Sequence, residues 1–293
     1  MLNIKEYARF FTPLIGTKPE HFTTEATRAS GTVTDTSLAL VNTLMDKIKA
    51  ELQIISDLVS VREVQFLPFC KKHVEGVWAI VDVSVDTIQE GYLIEHMEYN
   101  ENLVHNWYCP FIKTSLGFGA QRWMATLQRQ YQFLKVMKSI IDPIVDLIGE
   151  RGIRMLAQRM THNFCAGVCA TAHYWEIIQL ENEENSKLMM RMNISDLGES
   201  IGVVLSATKT IWLPVKYQRL FKFLTNEQIR SQWDVLSNTC PMKRMINISK
   251  GQTVDSNISL FFPHGDDSGG NRVILQDTYM DATGSLLVYA TID

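Results

Sequence analysis

The sequence predicts an α+β chain built around antiparallel sheet, and three observations predict it. Val77, Ala79, Val81, Val83 and Val85 alternate with Trp78, Ile80, Asp82 and Ser84 at period two, the signature of a strand. Leu116, Ala120, Trp123, Leu127, Tyr131 and Leu134 recur at spacings of three and four, which marks one stripe of a long helix. Strand-like runs return late, at Asn257 to Phe262, Val273 to Gln276 and Ser285 to Ile292. Both halves follow a similar order of helix or arm and then strands, with no repeat visible by identity.

From the N-terminus, residues 1–30 contain Pro13, Gly16 and Pro19 and read as an irregular arm. Leu38, Val41, Met45, Ile48, Leu52, Ile55 and Val59 then form an apolar seam at helical spacing. Strand character begins near Arg62, with a turn at Gly76, and a further strand runs from Tyr92 to Tyr99. After the long helix, Pro143 and Gly149 suggest a break. A second amphipathic helix carries Ile153, Leu156, Met160 and Phe164, with Gly167 near its end. Glu181 to Ser186 reads as a polar loop, and strands resume at Ile201 to Trp212. Pro214 suits the first turn of a helix through Leu224, and Trp233 and Leu236 continue a helical or turn segment. His264 to Asn271 is a hairpin-type loop rich in Gly, Asp and Ser. The last strand runs almost to Asp293, so the C-terminus is expected to be a truncation.

Bulk properties bound the function. A length of 293 residues suits one large domain or two ordinary ones, and 46% hydrophobic residues can build a core. The net charge is −4, with no basic stripe of the kind that grips nucleic acid; Lys71, Lys72 and His73, or Lys243 and Arg244, are scattered surface cations. Five widely spaced cysteines do not form a secreted disulfide framework. No apolar leader or membrane-length stretch is present, and the chain is expected to be soluble and intracellular.

Catalytic and metal chemistry is sparse. Cys165 and Cys169 share a helix face near His162 and His173, a conceivable metal site; packing as small core residues is the simpler reading. Asp82 and Asp86 share a strand face, which ordinary exposed carboxylates would also do. Glu95, His96, Glu98 and His105 are the densest ionisable cluster, but neighbouring strand residues point to opposite faces, so Glu95 and His96 do not converge. Gly117 and Gly119 suggest backbone packing only. No nucleophile elbow, phosphate loop, zinc spacing or dinucleotide fingerprint occurs. We therefore expect no catalytic residue, no metal and no enzyme. An apolar sheet face with a long covering helix suits a hydrophobic-ligand cavity and an ordinary core equally. The alternating strands and the helix stripe nominate Val81, Val83, Met97, Leu116, Trp123 and Leu127 as cavity lining.

Several strings are more specific. Thr24-Glu25-Ala26-Thr27-Arg28, Ser37-Leu38-Ala39-Leu40-Val41, Val61-Arg62-Glu63-Val64 and Gly76-Val77-Trp78-Ala79-Ile80-Val81-Asp82-Val83-Ser84 resemble the START domain of plant class IV homeodomain–leucine-zipper proteins. So do Ile94-Glu95-His96-Met97-Glu98-Tyr99 and Gly117-Phe118-Gly119-Ala120-Gln121-Arg122-Trp123. Asn163-Phe164-Cys165-Ala166-Gly167-Val168-Cys169, Val203-Val204-Leu205-Ser206-Ala207-Thr208 and Trp233-Asp234-Val235-Leu236-Ser237-Asn238 resemble the START-adjacent region of the same family.

The resemblance covers nearly the whole chain. It implies a helix-grip fold, in which a curved antiparallel sheet wraps a long C-terminal helix around a lipid or sterol cavity, followed by a second START-like half. The implied domains are a START domain over 31–140, internally shortened, and a START-adjacent domain over 150–293. In the family this module regulates a transcription factor of epidermal cell identity, which implies a nuclear location and partners within the family. No cofactor is implied beyond a lipid or sterol ligand.

The departures are specific too. The homeodomain and zipper are absent, so no direct nucleic-acid contact is expected. Interior blocks are missing after Asp46 and after Glu90, and Pro68 stands where the family has a basic residue on a cavity strand. At the first junction local periodicity continues a helix over 47–59, whereas the family pattern expects a helix to about Lys49 and a strand from Glu51. A second reading of the chain is thus a non-DNA-binding interaction protein, or a partial gene product, with no ligand.

Overall fold

The computed structural model describes residues 28–33, 36–45, 49–52, 54–56, 58–59, 62–75, 77–84, 88–89, 92–93, 105–113, 117, 119–139, 147–170, 174–178, 185–196, 201–237, 241–250, 255–263, 273–281 and 284–292. It is an α+β protein whose sheets are antiparallel throughout. The chain divides into two compact units. The first comprises Met1–Ile54 and Val59–Met124, and the second Ile55–Leu58 and Ala125–Asp293.

In the first unit, helix α1 (Ser37–Met45) starts where the Thr36 hydroxyl accepts the Ala39 N–H at 3.2 Å. The apolar seam does not carry the helix onward. Lys49–Leu52 is strand β1, paired antiparallel with β2 (Arg62–Val74) from Lys49↔Gln65 to Leu52↔Arg62. The outcome is the family pattern rather than the local periodicity, with the helix ending at Met45. A partner strand satisfies the backbone as fully as a helix does, and helical spacing over so few residues cannot outweigh it. Ile54 and Val59, the far end of the seam, are buried against Tyr108, Cys109 and Phe111 instead.

Strand β3 (Val77–Ser84) forms a hairpin with β2 from Phe66↔Ser84 to Val74↔Val77, irregular between Lys72 and Val74. The order is β1-β2-β3, and α1 packs on β2 and β3. Pro68 lies opposite Asp82, beyond the four β2 residues that β1 covers. A residue without an N–H is tolerated there because β2 is paired on one side only among the described residues. Strands β4 (Ile88–Gln89) and β5 (Tyr92–Leu93) form a separate pair. The rest of the strand expected to Tyr99 lies outside the described residues, as does the whole loop expected over His264 to Asn271. A short helix, α2 (Cys109–Lys113), precedes the long helix α3 (Ala120–Ser139), which begins after Gly119 rather than at Leu116.

In the second unit, helix α4 (Leu147–Cys169) runs unbroken through Gly149 and Gly152. Of the break expected around Pro143 and Gly149, Pro143 lies outside the described residues between the end of α3 at Ser139 and the start of α4 at Leu147, while Gly149 itself lies within α4, where one glycine costs only about 1 kcal/mol. Ala170 follows at φ 56°, the left-handed conformation that ends many helices. Strands β6 (Glu176–Ile178), β7 (Ser186–Asn193) and β8 (Gly202–Lys209) form one sheet in that order. Only β8 was expected. In β7 the buried side chains are Met189, Arg191 and Asn193 while Met192 is exposed, so hydropathy points the wrong way. Arg191 is buried because Asp196 pairs with it at 2.7 Å and the Trp175 ring lies 5.2 Å away.

Helix α5 (Tyr217–Leu224) follows, with Pro214 ahead of it rather than in its first turn. Two 3₁₀ turns (Glu227–Gln232 and Val235–Ser237) come next. The last sheet has the order β12-β11-β10-β9, from β9 (Met242–Ser249), β10 (Asn257–Pro263), β11 (Val273–Asp281) and β12 (Gly284–Ile292). Alternate residues separate its faces. Ile258, Leu260 and Leu275 meet Ala157 and its neighbours Ile153, Leu156 and Met160 on α4. Phe261 and Ile274 form the opposite core with Met242, Leu236 and Tyr289. Both faces are covered, which explains why Leu260-Phe261-Phe262 in β10 and Val273-Ile274-Leu275 in β11 are apolar without alternation.

Candidate functional site

The six nominated cavity residues fall in three places. Val81 and Val83 lie on one face of β3, opposite Phe69 and Leu67 of β2. Trp123 and Leu127 lie one turn apart on α3; Trp123 is exposed and Leu127 half-buried. Met97 and Leu116 lie outside the described residues. The structure thus places two valines on one strand face and an aromatic–leucine pair on one helix stripe.

The ionisable candidates separate. Asp82 sits opposite Pro68, while Asp86, Glu95, His96 and Glu98 are outside the described residues. His105 stacks edge-on with Trp107 at 4.6 Å, and its Nδ1 accepts the Trp107 N–H at 3.3 Å. Cys165 and Cys169 are half-buried thiols on α4, and burial pushes Cys165 up to about 11. A thiol held protonated is a poor metal ligand. His162 is exposed and His173 is outside the described residues. Among the described residues no three His, Cys, Asp or Glu side chains gather to hold a metal. No described helix is long and apolar enough to cross a membrane.

Two buried polar groups were not anticipated, and both lie in the second unit. On the α4 side of the last sheet, Asp277 of β11 is paired with Lys250, just after β9. The Thr161 hydroxyl of α4 donates to Asp277 Oδ2 at 2.9 Å, and the Tyr279 hydroxyl donates to the same carboxylate. Lys250 also lies over the Tyr279 ring. Burial lowers Lys250 to about 8 and raises Asp277; their mutual attraction opposes both shifts. At the margins, Arg154 pairs with Glu150 at 2.7 Å and donates to the Ser249 carbonyl at 3.0 Å, and Arg129 pairs with Asp281. These contacts bind α3, α4 and the β9–β11 strands to one another.

On the opposite face, Arg230 is 2% exposed and its Nε donates to the fully buried Asp234 at 2.6 Å. Its Nη1 donates to Gln276, and Trp233, Phe261 and Tyr289 surround the guanidinium, with Phe261 at 4.5 Å. Burial lowers the arginine's affinity for its proton, and Asp234 opposes that shift. Asp234 also accepts the Leu236 N–H at 2.9 Å, which fixes the second 3₁₀ turn. Nothing in the sequence brings residues 161, 250 and 277, or 230 and 276, together; only strand pairing does. Both groups are buried, and their chemistry is to hold elements together.

The family model for the PDF2-like, C-terminal domain matches residues 146–293, the stretch that begins one residue before α4 and ends with β12. Homeobox-leucine zipper protein HDG1 of Arabidopsis thaliana is 38% identical, in a match that covers all of this chain and 44% of the relative. Homeobox-leucine zipper protein ANTHOCYANINLESS 2 of the same species is 39% identical with the same coverage. Homeobox-leucine zipper protein ROC4 of Oryza sativa is 35% identical over all of the chain and 46% of its own length. The chain spans about half the length of the curated relatives it matches. The first alignment extends over 360 positions against 293 residues, so the relative carries residues within the aligned region that this chain lacks. No solved structure matches.

Proposed function

The chain belongs to the class IV homeodomain–leucine-zipper family, and from that premise we propose that it is a START-type regulatory module that binds a lipid or sterol. The observation that carries the reading is the match of the whole chain, at 38–39% identity, to proteins named for a homeobox and a zipper. The net charge of −4 favours regulation over direct DNA contact. On this reading the module would act in the nucleus, beside partners of its own family and in the control of epidermal cell fate, and nothing in it calls for catalysis. The lining would come from Val81, Val83, Met97, Leu116, Trp123 and Leu127. The test is native mass spectrometry of the full chain purified from plant cells and from bacteria. A reproducible added lipid mass is expected, lost on changing Val83 and Leu127 together to Asp. A clean apo mass from both hosts sinks ligand binding.

One observation favours a second reading, an interaction protein that has lost its ligand. The aligned region is shorter than in the relatives, and among the described residues β1-β2-β3 is a sheet of three strands. Too few strands leave edges open to pairing with another chain. Stable co-precipitation with a full-length relative, from a preparation that carries no lipid, would establish it.

A further inference from the structure

We infer that the loop before α5, together with the outer face of that helix, is a docking surface for an anionic lipid membrane. This goes beyond the cavity reading, since it concerns an outer surface of the second unit and stands whether or not a ligand fills an interior. Residues 211–219 are nine exposed residues in succession. Among them are Ile211 (63% exposed), Trp212 (66%), Leu213, Val215 and Tyr217, and Phe223 is exposed on α5 beyond. Apolar side chains in such a run are not normal surface.

The charge on the same stretch has one sign. From Ser200 to Asn226 there is no Asp or Glu, whereas Lys209, Lys216, Arg219 and Lys222 are all present and all exposed. This is a local +4 on a chain whose net charge is −4.

The backbone holds these side chains outward. The Thr210 N–H donates to the Asn185 carbonyl at 2.9 Å, the Val215 N–H donates to the Leu213 carbonyl at 2.8 Å around Pro214, and Arg219 and Leu220 donate to the Lys216 carbonyl as α5 begins. Phe221 is buried and α5 packs on β12, which leaves Gln218, Arg219, Lys222 and Phe223 on the outer side. The surface is therefore preorganised, with little further ordering needed on contact.

Trp and Tyr bracketing Leu, Pro and Val, with cations around them, match a membrane interface. The rings sit at headgroup depth, the aliphatic side chains enter the acyl boundary, and the cations meet anionic headgroups. An acidic protein segment would satisfy the cations. It would still need a pocket to receive a projecting loop, and a bilayer needs none.

The test is sedimentation of the full chain with vesicles of phosphatidylcholine containing about one third phosphatidylserine, against pure phosphatidylcholine. We expect binding to the anionic vesicles that weakens as salt rises. Each surface cation is worth roughly fivefold in partitioning, so K216Q with K222Q should lower it roughly 30-fold. Trp212→Ala should lower it about tenfold. All three side chains are exposed, so the variants should unfold at the wild-type temperature, which checks that the fold is intact. Equal binding to both vesicle types, no binding to either, or binding only to a glutamate-rich peptide that the same variants abolish would each overturn the assignment.

Discussion

Replacing Arg230 by Met tests whether the buried pair beside the aromatic side chains is structural. The perturbation leaves Asp234, whose side chain is 0% exposed, without its cation. Removing one member of a buried pair costs about 3–5 kcal/mol, since the survivor remains desolvated. Two features place the expectation at the lower end, about 3 kcal/mol. Asp234 keeps the Leu236 N–H, and methionine still fills the space beside Phe261 and Tyr289. The guanidinium Nη2 also has no hydrogen-bond partner among the described residues, so its loss forfeits nothing further. The assay is urea unfolding of the full chain followed by tryptophan fluorescence, with Trp233 next to the change. Two companions sharpen it. R244A, at an exposed pair 3.7 Å from Glu227, should shift stability by less than about 1 kcal/mol. Arg230→Met combined with Asp234→Asn should be more stable than the sum of the single losses, because the stranded charge is gone. A single R230M variant within about 1 kcal/mol of wild type would refute the reasoning.

The Lys250–Asp277 pair predicts a pH profile. Burial takes Lys250 from its ordinary 10.5 to about 8, so above pH 8 the unfolded chain binds more protons than the native one and stability rises with pH. The slope should reach up to about 1.4 kcal/mol per pH unit. Cys165 works in the opposite direction above pH 9, since its native value is about 11 against 9.0, so the rise should flatten there. Urea titrations across this range check it; K250M should abolish the rise, and a wild-type profile that falls between pH 8 and 9 would contradict the buried lysine. At Gly152 in α4 an added Cβ meets nothing within 4 Å, so Gly152→Ala should stabilise by about 0.5–1 kcal/mol, read as a higher melting temperature.

Much of the fold was legible because hydrophobic period reports local geometry. The β2–β3 hairpin, α3, the second amphipathic helix and the strands β10, β11 and β12 lie where alternation or three–four spacing puts them. The misses have particular causes. The seam from Leu38 to Val59 has helical spacing, but a helix and a strand pair satisfy its backbone equally, and only the presence of β2 beside Lys49–Leu52 decides between them. Strand β7 escaped because Arg191 and Asn193 point inward and Met192 outward, an inversion that makes sense only once Asp196 and Trp175 are beside it. Strand β9 escaped because most of its residues are exposed, which leaves no alternation to read. Gly149 lies inside α4 because a weak local penalty yields to a helix packed along its length.

The candidate site divides in the same way. Matched strings alone determined the family, because residue identities are carried by the chain whatever its fold. The same holds for the basic, acid-free stretch from Ser200 to Asn226; the structure added that its apolar side chains face outward. The interior ion pairs could come only from tertiary structure. Thr161, Lys250 and Asp277 are far apart along the chain, and their meeting depends on the register of β9, β10 and β11 under α4. Burial then turns surface-type residues into costly interior charges, and burial is a property of neighbours rather than of sequence.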